Sequence, residues 1–467
     1  VSFGPVLILR EVAPRVVRLA AVYARPEGEA APRLVAEGRD YEAELLATID
    51  GQRIWRVSFE LPRGIEAVYQ SDGQAHVVDT AYDGDMRIGF VSCNGEENGD
   101  IDRDRDERNA MWKRLADRHG ETRLQLLLHG GDQVYADEVT HGHPLSEGWP
   151  DDSPETASDT DLAGLRVHLR ARFLERYRIS YTAPGFARLA AEVPSLMMWD
   201  DHDICDGWGS LGAVEETGVG RTLIAAAREA FLLYQHAATE ADVPDLFLDP
   251  TGRSLSFRRD LPGVSVLAPD LRGERTRSRI MGDAGWAAFE AACDGLEPRV
   301  LLVSSVPLLG PRLSLIERAM RLTRRMETYE DDLRDQWQSY AHREEWCRML
   351  RKVLELEAAG HRVTAISGEI HLAVRAELKG HSAPVHQLVS SGISHRAPPK
   401  AWAWVLGTLA RLGEAPIPEH PIRIRPLPGR GGVYAAQRNF LTLERGGDEW
   451  RARWTLEEAG DTPWLTI

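Results

Sequence analysis

The stretch that most constrains this chain is Leu124-Gln-Leu-Leu-Leu-His-Gly-Gly-Asp-Gln-Val-Tyr-Ala-Asp137. Residues 124–128 are a short apolar run that ends in a pair of glycines, the pattern of a buried parallel strand whose carboxyl end opens into a turn. Ligands bind at that end of open α/β sheets. The glycines permit a sharp turn, so the carboxylate of Asp132 and the phenol of Tyr135 can be aimed at one spot. Three further stretches have the same form: Phe90-Val-Ser-Cys-Asn94, Met198-Trp-Asp-Asp-His-Asp203 and Ile366-Ser-Gly-Glu-Ile-His371. Four such strand ends would gather thiol, phenol, carboxylates and imidazoles, a donor mixture that reads as a metal centre.

Taken singly, most of these residues have plainer explanations. Asp132 could cap a turn or a helix, and Cys93 could be a small buried side chain. Glu369 and His371, two apart at a strand end, share a face and could be either a chelating pair or a polar terminus. The run Asp200-Asp-His-Asp203 could be a surface acidic loop. Directly after Met-Met-Trp, however, four ionisable residues lie close to a core, where they need compensation.

Around these stretches the chain divides into two parts. Residues 1–85 carry short apolar runs separated by Pro, Gly and Asp turns, which predicts an all-β sandwich of immunoglobulin or fibronectin type. Residues 86–467 alternate strand and helix patterns, which predicts an α/β domain. Helices are expected over 107–118, 162–177, 221–238, 314–325 and 341–359, and core strands over 86–93, 193–199, 265–268, 300–305 and 363–366. At 467 residues and 43% hydrophobic content, two domains with a large core are affordable.

Charge and cysteine usage narrow the function classes. A formal net charge of −16 speaks against a general nucleic-acid surface or an acidic-membrane binder. No apolar run approaches the ~18 residues of a membrane span. The four cysteines form no CxxC pair, so neither a zinc ribbon nor a disulfide framework is predicted. Reduced thiols and the lack of a visible signal sequence favour a cytoplasmic location; a processed start would instead allow a secreted or periplasmic one. Oligomeric state has no signature in the sequence.

As an ordered series, Phe90-x-Ser-Cys-Asn94, Gly131-Asp-Gln-x-Tyr135, Trp199-Asp-Asp-His-Asp203 and Ser367-Gly-Glu-x-His371 resembles the PhoD-type alkaline phosphatases of the calcineurin-like metallophosphoesterase superfamily. Asp270-Leu-Arg272 with Arg275 and Arg277, Ser304-Ser-Val-Pro307, and Asp335-Gln-Trp337 with Tyr340 and Arg343 are similar to further stretches of that family. The resemblance implies a four-layer α/β/β/α core behind the N-terminal β domain, and hydrolysis of a phosphate ester by a water activated between two metals. It implies that Asp132 bridges the ions, that Cys93 and Tyr135 bind iron, and that Asp201, Glu369 and His371 complete the site. His202 takes the place of the phosphate-contacting histidine, and Asn94, Arg108, Arg272 and Arg277 are the candidates for holding substrate oxygens. Two departures stand out: Ser92-Cys93-Asn94 replaces the superfamily's first Asp-x-His motif, and Glu369 stands where Asp is commoner.

The donor chemistry agrees. Thiolate and phenolate together suit a ferric ion. The carboxylates suit a second, harder ion, calcium first, with manganese, magnesium and zinc as the others. The rival is a non-catalytic metal- or phosphate-binding protein that retains the fold. Metal content together with turnover of a chromogenic phosphate ester separates the two.

Overall fold

Runs of consecutive apolar residues form the parallel centres of two large sheets in the computed structural model, which describes residues 1–310, 336–410 and 413–467. In the first sheet Met86–Val91, Leu126–Gly130 and Ser195–Met198 are parallel neighbours, with Leu126 opposite Ile88 and Leu127 opposite Ser195. Every residue of the last two strands is buried. Both faces are covered, which is why neither strand alternates apolar with polar. Asn439–Gly446 and Glu449–Leu456 extend this sheet antiparallel beyond Met86–Val91. In the second sheet Val264–Ala268, Arg299–Ser304, Arg362–Ser367 and Val385–Val389 run parallel, with antiparallel strands on both flanks.

Alternate residues of the second sheet sort into two cores. Val266, Leu301, Val303, Ile366 and Leu388 join Ile88, Phe90, Leu126 and Leu128 of the first sheet in one cluster. Leu267, Val300, Leu302, Val363 and Ala365 pack instead with Trp286 and Phe289 of the helix Asp283–Ala292, and with Trp346, Leu350 and Val353 of the helix Arg343–Ala358. Successive side chains point to opposite faces, so a slip of one residue would exchange the two sets. Each fully buried side chain of this size is worth about 1.5–3 kcal/mol. The register of the strand ends, and therefore of the polar residues just beyond them, is held by that burial.

Residues 1–85 are all β, as predicted, from Phe3–Val12 to Gln74–Asp79. Their arrangement differs from a self-contained sandwich in one respect. Phe3–Val12 pairs in parallel with Ser195–Met198, so that it, Val16–Pro26, Gln52–Pro62 and Ala43–Ile49 continue the first large sheet. The physical reason is that Val6, Leu7, Ile8 and Leu9 are all buried, which makes this a covered central strand. Arg39–Tyr41, Leu34–Ala36, Glu66–Ser71 and Gln74–Asp79 form a separate four-stranded sheet.

The predicted helices that fall on described residues are present with shifted bounds. That over 107–118 is split into Arg105–Arg108, capped by the Asp104 carboxylate on the Glu107 N–H (2.9 Å), and Ala110–Glu121. That over 162–177 spans Asp159–Tyr181 behind a Ser158 cap. That over 221–238 runs Gly218–Ala230 and then widens into a π turn, Phe231–Gln235. The helix predicted over 314–325, and Asp335, lie outside the described residues. No helix among the described residues is long and apolar enough to cross a membrane.

Candidate metal centre

The polar residues beyond the strand ends do converge, and they do so on strained backbone. Of nine non-glycine residues with positive φ among the described residues, four are Cys93, Asp132, Glu369 and His371, with φ between 53° and 68°. Left-handed backbone at ordinary residues costs about 1–3 kcal/mol each and persists where surrounding structure enforces it. Gly131 (φ 97°) is needed beside Asp132 because a Cβ there would sit 2.7 Å from the Asp200 Cβ. Gly95 is needed because a Cβ would meet the Tyr135 ring at 2.7 Å. These two glycines let the carboxylate- and phenol-bearing loops close on one another.

Three groups of donors result. The ligand atoms of Cys93, Asp132 and His371 lie within 4.8 Å of one another, as do those of Asp132, Asp200 and Asp201, and those of Asp201, His202 and Asp206. Asp132 is common to the first two. The Tyr135 hydroxyl is 3.0 Å from His371 Nε2, which sets the phenol beside the first group. Cys93 Sγ lies 3.3 Å from Asp132 Oδ2 and 3.1 Å from Ser391 Oγ. Glu369 stands outside these three groups and accepts from Gln336 Nε2 at 2.6 Å.

The electrostatics describe a site short of positive charge. Burial pushes the Asp132 carboxyl well above its usual range, and Asp200, Asp201 and Asp203 push it further against the opposing pull of His202. Burial raises the Cys93 thiol, reinforced by Asp132, and raises the Tyr135 phenol, reinforced by Cys93 and Asp132. Burial, with His395 beside it, lowers His371. Asp132 is 1% exposed, and its Oδ1 has no hydrogen-bond donor. A buried carboxylate oxygen without a donor is costly unless a cation meets it. The donor set fits metal ions, whose charge would reverse each of these shifts.

His202 is differently placed. Burial opposes its charge, but Asp137 foremost, then Asp201, outweigh that and hold the imidazole's pKa well above its usual value. Its Nδ1 lies 3.0 Å and 3.1 Å from the two Asp137 oxygens, and its ring stacks on Tyr135 with centroids 4.3 Å apart. Asp203, last of the acidic run, accepts from the backbone N–H groups of Asp200 and Val134 and from Gln235 Nε2, and burial pushes it up to about 7. It is part of the turn.

The side chains expected to hold substrate oxygens have protein partners. Asn94 Oδ1 accepts from Trp112 Nε1 (2.7 Å) and Ser394 Oγ (2.8 Å), while its Nδ2 donates to the Gln133 carbonyl (3.2 Å). Arg108 pairs with Asp100 at 2.7 Å. Arg277 donates to the carbonyls of Ser210 and Leu211. Arg272, fully buried, donates to Asp200, to Asp201 at 3.3 Å and to the Trp208 carbonyl. These four residues are thus engaged with protein groups, and Arg272 in particular keeps two like-charged aspartates side by side.

Several residues of the site received no role from the sequence. Asp200 and Asp206 supply donors, Asp137 fixes His202, and Ser391 meets both Cys93 Sγ and the His371 backbone N–H (2.8 Å). A usable signal existed for Ser391 and for His395 nearby: Ser390-Ser-Gly-Ile-Ser-His395 follows Val385–Val389 as one more apolar run ending in polar residues.

A family model described as PhoD related phosphatase matches residues 92–328. The uncharacterized protein YGR266W of Saccharomyces cerevisiae is 23% identical over 344 residues, 59% of this chain and 49% of that protein. The chain thus spans about half the length of that curated relative. Among solved structures, that of PhoD aligns with a TM-score of 0.56 at 13% identity, over 99% of this chain and 89% of that one. The purple acid phosphatase PPD1 from yellow lupin (Lupinus luteus) seeds aligns with a TM-score of 0.56 at 10% identity, over 100% and 74%. At these identities the likeness is one of fold, a mixed α/β architecture with large sheets.

Proposed function

Because this chain belongs to the PhoD related phosphatase family, we propose that it is a metal-dependent phosphoester hydrolase. Asp132 carries this proposal: one buried carboxylate common to two donor groups, with an oxygen that no donor meets. Cys93, Tyr135, Asp132 and His371 would hold one ion; Asp132, Asp200 and Asp201 would hold a second, with Glu369 at the rim. Ions bound there would supply an activated water and the positive charge that steadies an in-line displacement at phosphorus. The first is assigned as ferric iron, because a thiolate and a phenolate together are anionic donors that a highly charged iron ion favours over the hard divalent ions. The second is assigned as calcium on the carboxylate character of its group, with manganese, magnesium and zinc as alternatives.

The chain's own residues account for the rest. Asp137 engages His202 Nδ1 and so leaves Nε2 to hold a phosphoryl oxygen or deliver a proton to the leaving alkoxide. The Tyr135 ring stacked on His202 fixes the plane in which that proton is presented. Arg272 holds Asp200 and Asp201 together so that both can face one cation. The shared core of the two large sheets, and the helices packed on the second, support a four-layer α/β/β/α arrangement. The donor groups draw only on residues from 93 onward, which supports residues 86–467 as the catalytic part and 1–85 as its β-rich companion.

Elemental analysis of protein purified without chelators, paired with turnover of chromogenic phosphate mono- and diesters, tests the proposal. Iron plus a second ion together with turnover is expected. Bound metal without turnover of either ester would favour the non-catalytic rival, and absence of both would refute the metal centre.

A further inference from the structure

The loop after the strand Val385–Val389 brings His395 against the donor cluster. Its ring lies face to face with that of His371, centroids 3.4 Å apart and planes 12° from parallel, and 5.5 Å from the Tyr135 ring. Both ring nitrogens are engaged elsewhere. Nδ1 is 2.6 Å from the Arg396 carbonyl oxygen, and Nε2 is 3.2 Å and 3.3 Å from the two carboxylate oxygens of Glu97. A histidine whose two nitrogens are already satisfied is not placed to ligate a cation or to pass a proton to substrate. It presents its flat face to His371.

The loop carrying this ring is tied to the same site by its backbone. The N–H groups of Ser394 and His395 donate to the Cys93 carbonyl at 3.3 Å and 3.1 Å. On the far side, Arg103, whose side chain is 5% exposed, donates to the Ser394 carbonyl (3.0 Å) and pairs with Asp100 and Glu107. Arg396 pairs with Glu96 (3.2 Å) and Glu107 (3.1 Å). Two segments 298 residues apart in sequence, one carrying Glu97 and the other His395, are therefore braced on both sides of the ring. Charge pairs with so little exposure at Arg103 are screened far less than surface pairs.

His371 has something to gain from such a brace. Its backbone is left-handed, its ring has to bring Nε2 within 3.0 Å of the Tyr135 hydroxyl, and rotation of the imidazole would disturb both that contact and the donor geometry it shares with Cys93 and Asp132. A parallel ring at 3.4 Å leaves one plane open to it. We propose that His395, clamped by Glu97, is a positioning residue that sets the plane of His371 and thereby the affinity of the Cys93–Asp132–His371 group for its cation. This rests on the metal-centre assignment above. Outer partners that orient a ligating histidine typically change metal affinity or activity about 10–100-fold.

The test uses the full chain purified without chelators and dialysed against graded EDTA, with metal per chain read by elemental analysis and kinetics with p-nitrophenyl phosphate. His395→Ala is expected to lose half its iron at an EDTA concentration about 10–100-fold lower than wild type, with a lower kcat and a KM little changed. His395→Phe keeps the flat face without the nitrogens and is expected to recover most of the retention. Glu97→Gln, which weakens the clamp but leaves the ring, should fall between. These two conservative variants keep the test valid should His395→Ala fold poorly. Iron retention in His395→Ala equal to wild type would overturn the inference, and so would a His395→Phe variant no better than His395→Ala. Wild-type protein that holds no metal would remove the metal-centre assignment and this inference with it, an outcome distinct from either.

Discussion

Replacing Asp132 by Asn separates a metal ligand from a turn residue by its effect on stability. Asn has the size of Asp and tolerates the left-handed backbone at φ 53°, so the change removes charge with little change of shape. Without metal, Asp132 faces Asp200 and Asp201 with donor oxygens within 4.8 Å. Two unit charges at that separation repel by about 3.5 kcal/mol at an effective dielectric of about 20. Proton uptake caps the total: at pH 8 protonating a carboxyl of ordinary pKa costs about 5.6 kcal/mol. Burying the amide instead costs about 1–3 kcal/mol. Metal-free Asp132→Asn is therefore expected to be more stable than wild type by about 2–4 kcal/mol at pH 8. For 467 residues unfolding as one unit, about 1 kcal/mol corresponds to about 1 °C, so its melting temperature in EDTA should rise by about 2–4 °C. The Asp132 carboxyl is raised by burial, so the wild-type penalty is absent below the ordinary carboxyl pKa and grows as pH climbs above it. The two proteins should melt together near pH 4 and separate at higher pH. With both ions at about 100 times their Kd the order reverses, because wild type alone gains about 2.7 kcal/mol from each, about 5.4 kcal/mol together. A turn or cap role for Asp132 would instead leave the two proteins nearly equal in every condition, because Asn caps and turns about as well as Asp. Thermal melts of Asp132→Asn at or below wild type in EDTA at pH 8 would refute the shared-ligand assignment.

Other expectations follow from the same geometry. His202→Ala should keep its metal and lose about 10²-fold in turnover; parallel loss of metal would make His202 a ligand. Asp137 is foremost among the charges that raise His202, so Asp137→Asn should lower that pKa and move the alkaline limb of the kcat profile to lower pH, and a limb that stays put would count against His202 as the proton donor. Tyr135→Phe should bleach or shift a visible ligand-to-metal absorption band and weaken iron retention, and Cys93→Ser should alter the band differently; a colourless, iron-free protein fully active with magnesium alone would overturn the ferric assignment. Cleavage near Asp83–Asp85 should leave metal with residues 86–467 while the shared sheet keeps both pieces together, and metal lost on cutting would show that the first 85 residues help hold it.

What the sequence determined by itself was local. Buried parallel strands are continuous apolar runs, so Leu126–Gly130, Ser195–Met198 and Arg362–Ser367 could be read along with the polar residues at their ends, Asp132, Asp201, Glu369 and His371. Cys93 and Tyr135 were legible for the same reason. Tertiary structure decided which of these residues lie in one candidate donor group. It gathered Asp132 with Asp200 and left Glu369 against Gln336. It turned Asn94 toward Trp112 and spent Arg272 on two aspartates. It also joined Phe3–Val12 to Ser195–Met198, a pairing invisible in sequence because an apolar strand looks the same whichever neighbour covers its edge. Glu97 and His395 are the clearest case: His395 ends an apolar run that could be read locally, but its contact with Glu97 exists only because two loops at the ends of different sheets' strands are folded onto one another. A strand's burial depends on its own residues, whereas a hydrogen bond between distant side chains depends on every element that brings them within 3 Å or so.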